Sequence, residues 1–367
     1  MALRKQRELG STRAALEQIW SDRFATQVGV TGLEIPQGIG YSNETLLASI
    51  RWEPDGVERT DDLVVRLPPD PDLAVFPDYD LRKQALCMER IADLQLGIPV
   101  PRIWFFESDA SLLGAPFYVM SRVGGRVPSD NPPYTTEGWL FEAASEDQRS
   151  LYRSTLKILA DLHRIENAEQ QFSFLASATS DRPGLAGQIS DVVKLADICL
   201  SEAPNAVISA AIDFLTADVP DDGGLIGLNW GDSRCGNILY DRFQPAAVLD
   251  WEMAALGPAE VDVAWLLVMQ RFHAALADGA DLPGFLSKNE AIDEYEELLG
   301  RDLLDLSYFE VFAMVRFALI LTRIVGAVIR LGLMPADWDY ARVNPVTAML
   351  ADRFQMNLGD GSQVSWV

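Results

Sequence analysis

The spacing of apolar residues changes period along the chain. Residues 45–52 and 63–67 read as strands, with the turn Glu53-Pro54-Asp55-Gly56 between them, and so predict an antiparallel hairpin. Short apolar strands follow at 103–106 and 117–120. Residues 1–27 read as a charged, partly amphipathic helix. Residues 80–96 carry a helical period that stops at Gly97, ahead of Pro99 and Pro101. Beyond the linker Val123-Gly124-Gly125-Arg126-Val127-Pro128 the pattern is mostly helical, over 147–166, 185–200, 260–277, 288–299, 308–331 and 344–356. Two β-like runs, 238–240 and 247–249, interrupt it. The reading is an α+β chain in two parts: a β-rich part, 1–123, and a helical part, 124–367. A length of 367 residues suits two such parts.

Composition narrows the functional classes. Hydrophobic residues make up 49% and charged residues 23%, which excludes a mostly disordered chain. The net charge is −24. Most of it lies after residue 125: 1–125 holds 13 basic and 18 acidic residues, 126–367 holds 17 and 36. Such a field repels nucleic acid and anionic lipid and attracts cations. The most apolar stretch, 311–333, contains Arg316, Arg323 and Arg330, which argues against a membrane span. Steps of seven return these arginines to nearly one helix face, fit either for salt bridges or for an anionic ligand. Cys87, Cys199 and Cys235 form no paired motif, and His163 and His273 are the only histidines, so a zinc site is not expected. The N-terminal residues lack the apolar core of a secretory signal. Reduced thiols and a cytoplasmic location are the expectation.

The strongest chemical signal is Gly227-Leu-Asn-Trp-Gly-Asp-Ser-Arg-Cys-Gly-Asn-Ile-Leu-Tyr240, followed by Ala247-Val-Leu-Asp-Trp-Glu252. Asp232 precedes Asn237 by five residues, and Asn237 precedes Asp250 by thirteen. A carboxylate, an amide and a second carboxylate at the ends of β-like segments suit phosphoryl transfer. One Asp orients or deprotonates a hydroxyl, while an Asn and an Asp hold Mg²⁺ on a nucleotide triphosphate. Mg²⁺ prefers oxygen ligands, so scarcity of His and Cys is no obstacle. Upstream, Gly38-x-Gly40-x-Ser42-Asn43 lies between two strand candidates. It reads either as a plain turn or as a loop whose backbone approaches phosphates.

This stretch resembles the aminoglycoside phosphotransferase/choline kinase family, which has a bilobal protein-kinase-like fold. The wording Trp-Gly-Asp-x-Arg-x-Gly-Asn, then Leu-Asp-Trp-Glu-Met-Ala, is most similar to the branch fused to acyl-CoA dehydrogenases in animals. The resemblance runs from about residue 30 to about residue 350. It implies that Asp232 is the catalytic base and that Asn237 and Asp250 are Mg²⁺ ligands. It also implies that Gly38, Gly40, Ser42 and Asn43 face the phosphates, that Arg66 and its partner Glu89 serve the α- and β-phosphates, and that backbone groups from Met120 to Val123 meet the adenine. Glu252 either faces the metal or orients its segment, and His163 is expected to be structural. The family His before Gly-Asp is Trp230 here, which offers packing and one N–H donor.

The expected function is transfer of the γ-phosphate of ATP, with GTP also open, to a hydroxyl of a small molecule. Acidity of the helical part favours an amino alcohol such as an aminoglycoside. The arginine stripe and the subfamily wording favour a hydroxyacyl compound. The partners are then nucleotide and acceptor, without nucleic acid or membrane. Trp230 for His and Arg66 for Lys define an alternative, a nucleotide-binding pseudokinase acting as a scaffold. A protein kinase proper fits less well, because a helix candidate begins within about ten residues of Asp250 and leaves no long activation loop.

Overall fold

The computed structural model of the chain describes residues 7–36, 43–77, 79–176, 184–222 and 224–358. It divides into two compact units, Met1–Glu89 with Pro101–Val123, and Arg90–Val100 with Gly124–Val367. The sequence reading put all of 1–123 in the first part, whereas Arg90–Val100 sits with the second unit. The reason is local: the backbone N–H of Val248 donates to the carbonyl of Pro99 at 2.8 Å.

In the first unit, β1 (Val28–Glu34), β2 (Glu44–Trp52), β3 (Arg59–Leu67), β4 (Ile103–Glu107) and β5 (Phe117–Ser121) form one antiparallel sheet in the order β1-β2-β3-β5-β4. Helices α1 (Leu9–Phe24), α2 (Leu81–Leu94) and α3 (Ala110–Leu113) complete the unit, α2 running across its boundary. Leu46, Ala48 and Ile50 alternate inward on β2, each at most 2% exposed, and pack with Leu16, Trp20, Val65 and Phe117. Full burial of each such large side chain stabilises by about 1.5–3 kcal/mol. Helix α1 also ties down the outer strand. Arg13 Nη1 donates to Val30 O at 2.7 Å, while Glu17 Oε1 and Ser21 Oγ accept from Val30 N and Val28 N. These bonds occupy polar groups that an edge strand would otherwise present for pairing.

The second unit holds α4 (Ser145–His163), α5 (Ala168–Gln171), α6 (Leu185–Glu202), α7 (Ala206–Ala217), α8 (Glu260–Ala275), α9 (Lys288–Leu299), α10 (Leu306–Arg330) and α11 (Pro345–Phe354). Two small antiparallel pairs lie among them: β6 (Gly227–Asn229) with β9 (Ala255–Gly257), and β7 (Ile238–Asp241) with β8 (Gln244–Val248). Helix α10 is long and apolar enough to cross a membrane, with a mean hydropathy of 2.0 over its most apolar window. That window is 72% buried, and the helix packs against α6, α7, α8 and α11, so its apolar surface is used inside the unit. All three cysteines are free and buried, and burial pushes Cys199 up to about 11 and Cys235 up to about 12. They are protonated thiols at neutral pH.

Candidate active site

The two small sheets position the motif. Strand β6 delivers the chain into Trp230–Asn237, and the β7–β8 hairpin returns it to Leu249 and Asp250 before β9 closes on β6. Asn229, fully buried, fixes the entry. Its amide donates to Pro258 O at 3.0 Å and its oxygen accepts from Gln188 Nε2 at 2.8 Å.

Asp262, in the first turn of α8, organises the loop. It is fully buried, and its carboxylate accepts from the backbone N–H groups of Trp230 at 2.7 Å and Gly231 at 2.8 Å. His163 Nε2 lies 3.0 Å from the same carboxylate, and its Nδ1 lies 2.5 Å from the Tyr295 hydroxyl. A carboxylate only accepts, so Nε2 carries the hydrogen and the phenol donates to Nδ1. Burial, then the Asp262 charge, push the Tyr295 pKa well up, so the phenol keeps that proton. Gly231 has φ +92°, and a Cβ there would stand 2.0 Å from Met253 O. Only glycine fits this close approach.

Trp230 takes the place where the family carries His. It is fully buried against Trp251, and its Nε1–H donates to Leu249 O at 2.8 Å. Leu249 N in turn donates to Asn237 O at 2.9 Å. Leu249, the residue before Asp250, is thus tied to both ends of the loop. Asp250 itself has φ +59°, a left-handed conformation that Asp tolerates better than most residues.

The Asp232 carboxylate is held from three sides. Trp265 Nε1 donates to Oδ1 at 2.8 Å, Asn237 Nδ2 to Oδ2 at 2.6 Å, and Arg234 Nε lies 3.2 Å from Oδ1. Arg234 also grips Asp130, its Nη1 lying 2.6 Å from each carboxylate oxygen. Burial opposes the Arg234 charge, but Asp130 and then Asp232 outweigh it and raise its pKa well above the ordinary value. Conversely, burial works to raise Asp130, yet Arg234 and His273 hold it well below the usual carboxylate range. His273 Nε2 lies 3.2 Å from Asp130 Oδ1, and its Nδ1 donates to Met269 O at 2.8 Å.

The donor set suits a hard cation. Asn237 Nδ2 also donates to Asp232 O at 3.0 Å, so its amide hydrogens face Asp232 and its oxygen is the atom left for a metal. Asp250 adds a carboxylate. Among the described residues no group of three or more His, Cys, Asp or Glu could hold a metal ion. Two protein oxygens match Mg²⁺, which takes its remaining ligands from phosphates and water.

The sequence-chosen residues of the first unit lie on different elements. Gly38, Gly40 and Ser42 lie outside the described residues. Asn43 is buried, and its amide donates to Gln84 of α2 at 3.0 Å, so it anchors the end of that run. Arg66 on β3 donates to Thr45 Oγ1 at 3.0 Å, and Glu89 is on the exposed side of α2. Met120 is buried in the β5 ladder, paired with Val64 and Ile103. The bond from Arg122 N to Asp62 O at 2.8 Å comes just before Val123. Sequence reasoning missed Asp130, Asp262 and Trp265. Asp262 and Trp265 were discoverable from their place just inside the helix after the second motif. Asp130 carried no signal. The three arginines of α10 do not act as a stripe: Arg316 is buried, Arg323 lies 3.6 Å from Glu202, and Arg330 is exposed.

A unit built on a five-stranded antiparallel sheet, followed by a helical unit that carries an Asp-Asn-Asp loop, is the kinase-like fold of phosphotransferases. A protein from Ralstonia eutropha assigned to the aminoglycoside phosphotransferases superimposes with a TM-score of 0.64, at 22% identity over 93% of this chain and 98% of its own. The aminoglycoside phosphotransferase APH(2″)-IIIa, solved with GDP and kanamycin, gives a TM-score of 0.51 at 14% identity, over 89% and 94%. The chain belongs to the phosphotransferase enzyme family, whose model matches residues 44–298. Human acyl-CoA dehydrogenase family member 11 is 26% identical over 209 residues, 56% of this chain and 25% of that protein. The chain therefore spans about a quarter of the length of the curated relatives it matches.

Proposed function

We propose that this chain transfers the γ-phosphate of ATP to a hydroxyl of a small molecule, with Mg²⁺ held by Asn237 and Asp250. The observation that carries the reading is the Asp232 carboxylate, fixed by Trp265, Asn237 and Arg234 and only 16% exposed. Such a group is pre-oriented to accept the proton of an attacking hydroxyl. Bound Mg²⁺ supplies charge neutralisation on the phosphates. The nucleotide-bound state of the APH(2″)-IIIa neighbour supports nucleotide use, with GTP as the competing donor. Retention of Asp232, Asn237 and Asp250 in a braced loop favours turnover over the scaffold reading. Trp230 supports this, because its packing and its N–H both engage the loop.

Asp232→Ala should keep nucleotide binding and lose transfer. Calorimetric titration of MgATP and MgGTP into the wild type, Asp232→Ala and Asp250→Asn tests the reading, followed by an ADP-release assay over amino alcohols and hydroxyacyl compounds. Wild-type transfer by Asp232→Ala removes the base assignment. Undiminished binding by Asp250→Asn removes the metal assignment.

A further inference from the structure

Arg316 differs from the other cations of α10. It is 8% exposed, and its guanidinium carbon lies 5.0 Å from the centroid of the Trp265 ring and 5.3 Å from that of Phe312. Among the described residues its Nη1 is buried without a hydrogen-bond partner, and no ion pair joins it to a carboxylate. The same Trp265 indole donates to Asp232 Oδ1, so the unmatched guanidinium and the base are one indole apart. Burial lowers the Arg316 pKa to about 10, against the fields of Asp262 and Asp232, which favour its charge. It is still charged at neutral pH. A buried cation with an unsatisfied N–H is costly. Asp262 and Asp232 lie close enough to act on it through space, but neither takes its buried Nη1, which leaves that N–H for a ligand oxygen.

We propose that Arg316 binds an anionic group of the acceptor, the oxygens of a carboxylate or a phosphate ester, while the acceptor hydroxyl meets Asp232. The role of that hydroxyl rests on the phosphotransferase reading above. The guanidinium fork takes two oxygens at once, and the flanking rings limit its rotation. In the transfer, the hydroxyl oxygen forms a new bond to the γ-phosphorus, and the bond from that phosphorus to the β,γ-bridging oxygen breaks. The bond's electron pair leaves with ADP, and the hydroxyl proton goes to Asp232. The acceptor class is thus hydroxy-carboxylates or hydroxy-phosphate esters, rather than purely cationic amino alcohols.

Anion binding is measured first, without nucleotide, by thermal shift with inorganic phosphate in one arm and a short hydroxy-carboxylate in the other. One of the two should raise the wild-type Tm by about 2–4 °C. The rise should vanish in Arg316→Gln and return in part in Arg316→Lys, each compared with its own ligand-free Tm. No shift in the wild type with either probe, or equal shifts in wild type and Arg316→Gln, overturns the inference whatever ATP does. With MgATP, Arg316→Gln should raise KM for the charged acceptor roughly 10- to 100-fold, leave kcat within about twofold, and leave the neutral amide analogue unchanged. A loss of kcat shared by all acceptors overturns the specificity role, since it would mean action through Trp265 on Asp232. Wild-type MgATP binding is followed in parallel. Its absence removes the phosphotransferase reading, while the nucleotide-free shifts still decide the anion site.

Discussion

Gly231→Ala isolates the close approach that shapes the catalytic loop. At φ +92° an alanine pays about 1–2 kcal/mol for its left-handed backbone. Its Cβ would also lie 2.0 Å from Met253 O and 2.4 Å from Met253 C, backbone atoms that cannot rotate aside. Overpacking of that kind costs about 1–3 kcal/mol, so the total is roughly 2–5 kcal/mol. Gly138 supplies the control, for it has the same φ of +92°, lies in the same unit, and has nothing within 4 Å of its would-be Cβ. Gly138→Ala should cost only the backbone contribution. With about 2–4 °C per kcal/mol for a unit of this size, calorimetry should show a drop of roughly 4–20 °C for Gly231→Ala and about 2–8 °C for Gly138→Ala. Phosphate transfer should fall about a hundredfold or more in the first, because Asp232 is the next residue, and stay near wild type in the second. Equal melting shifts in the two variants would refute the idea that Met253 dictates the glycine.

Asp262→Asn should destabilise by about 1–3 kcal/mol, because one of the donors at Trp230 N, Gly231 N and His163 Nε2 must then face an amide NH₂. Chemical denaturation reads the loss, and kcat should fall with it. The Glu260–Arg301 pair makes the chain acid-sensitive. Burial raises the Glu260 pKa, but hydrogen bonding from Arg301 and Leu304 N outweighs it and takes it below the ordinary 4.5. The stability it contributes is complete above about pH 4.5 and is lost as the pH falls through the lower folded value. Arg301→Met should cost about 3 kcal/mol at neutral pH, the lower end for breaking a buried pair because Arg301 is 29% exposed. It should also flatten the acid limb of a Tm-against-pH curve.

The elements read most easily were those with one clear period. Ser287, Glu290 and Gly300 bracket α9, and the 288–299 reading coincides with it. Strand β3 runs back to Arg59, beyond the apolar run, because its polar half completes the ladder with β2. Helix α7 went unread although Asn205 caps it, since its near-continuous apolar run shows little contrast of faces. The turn between β7 and β8 was hidden because Arg242 and Phe243 adopt positive φ, where Asn-Gly is the usual signal. At the site, Asp232, Asn237 and Asp250 were singled out by their spacing, and the structure joins the first two through the Asn237 amide. Asp130 was not: its importance depends on Arg234 and His273, which meet it across the fold, and local pattern holds no record of that. Arg316 was legible only as one of a series, and its separation from Arg323 and Arg330 depends on the Trp265 and Phe312 rings packed against it.

Helix α10 has a consequence for how the chain is made. Its 25 residues would suit a bilayer as well as a protein interior. Of the helices that cover it, α6, α7 and α8 precede it in the chain, and α11 alone follows. When α10 leaves the ribosome, most of its docking surface has already been synthesised, and the apolar segment can be sequestered by a neighbour that is present rather than awaited. A circular permutation that moved α6–α8 behind α10 would keep every native contact and reverse that order. Its yield of folded protein would show how far the birth order of the helices protects this chain from aggregation.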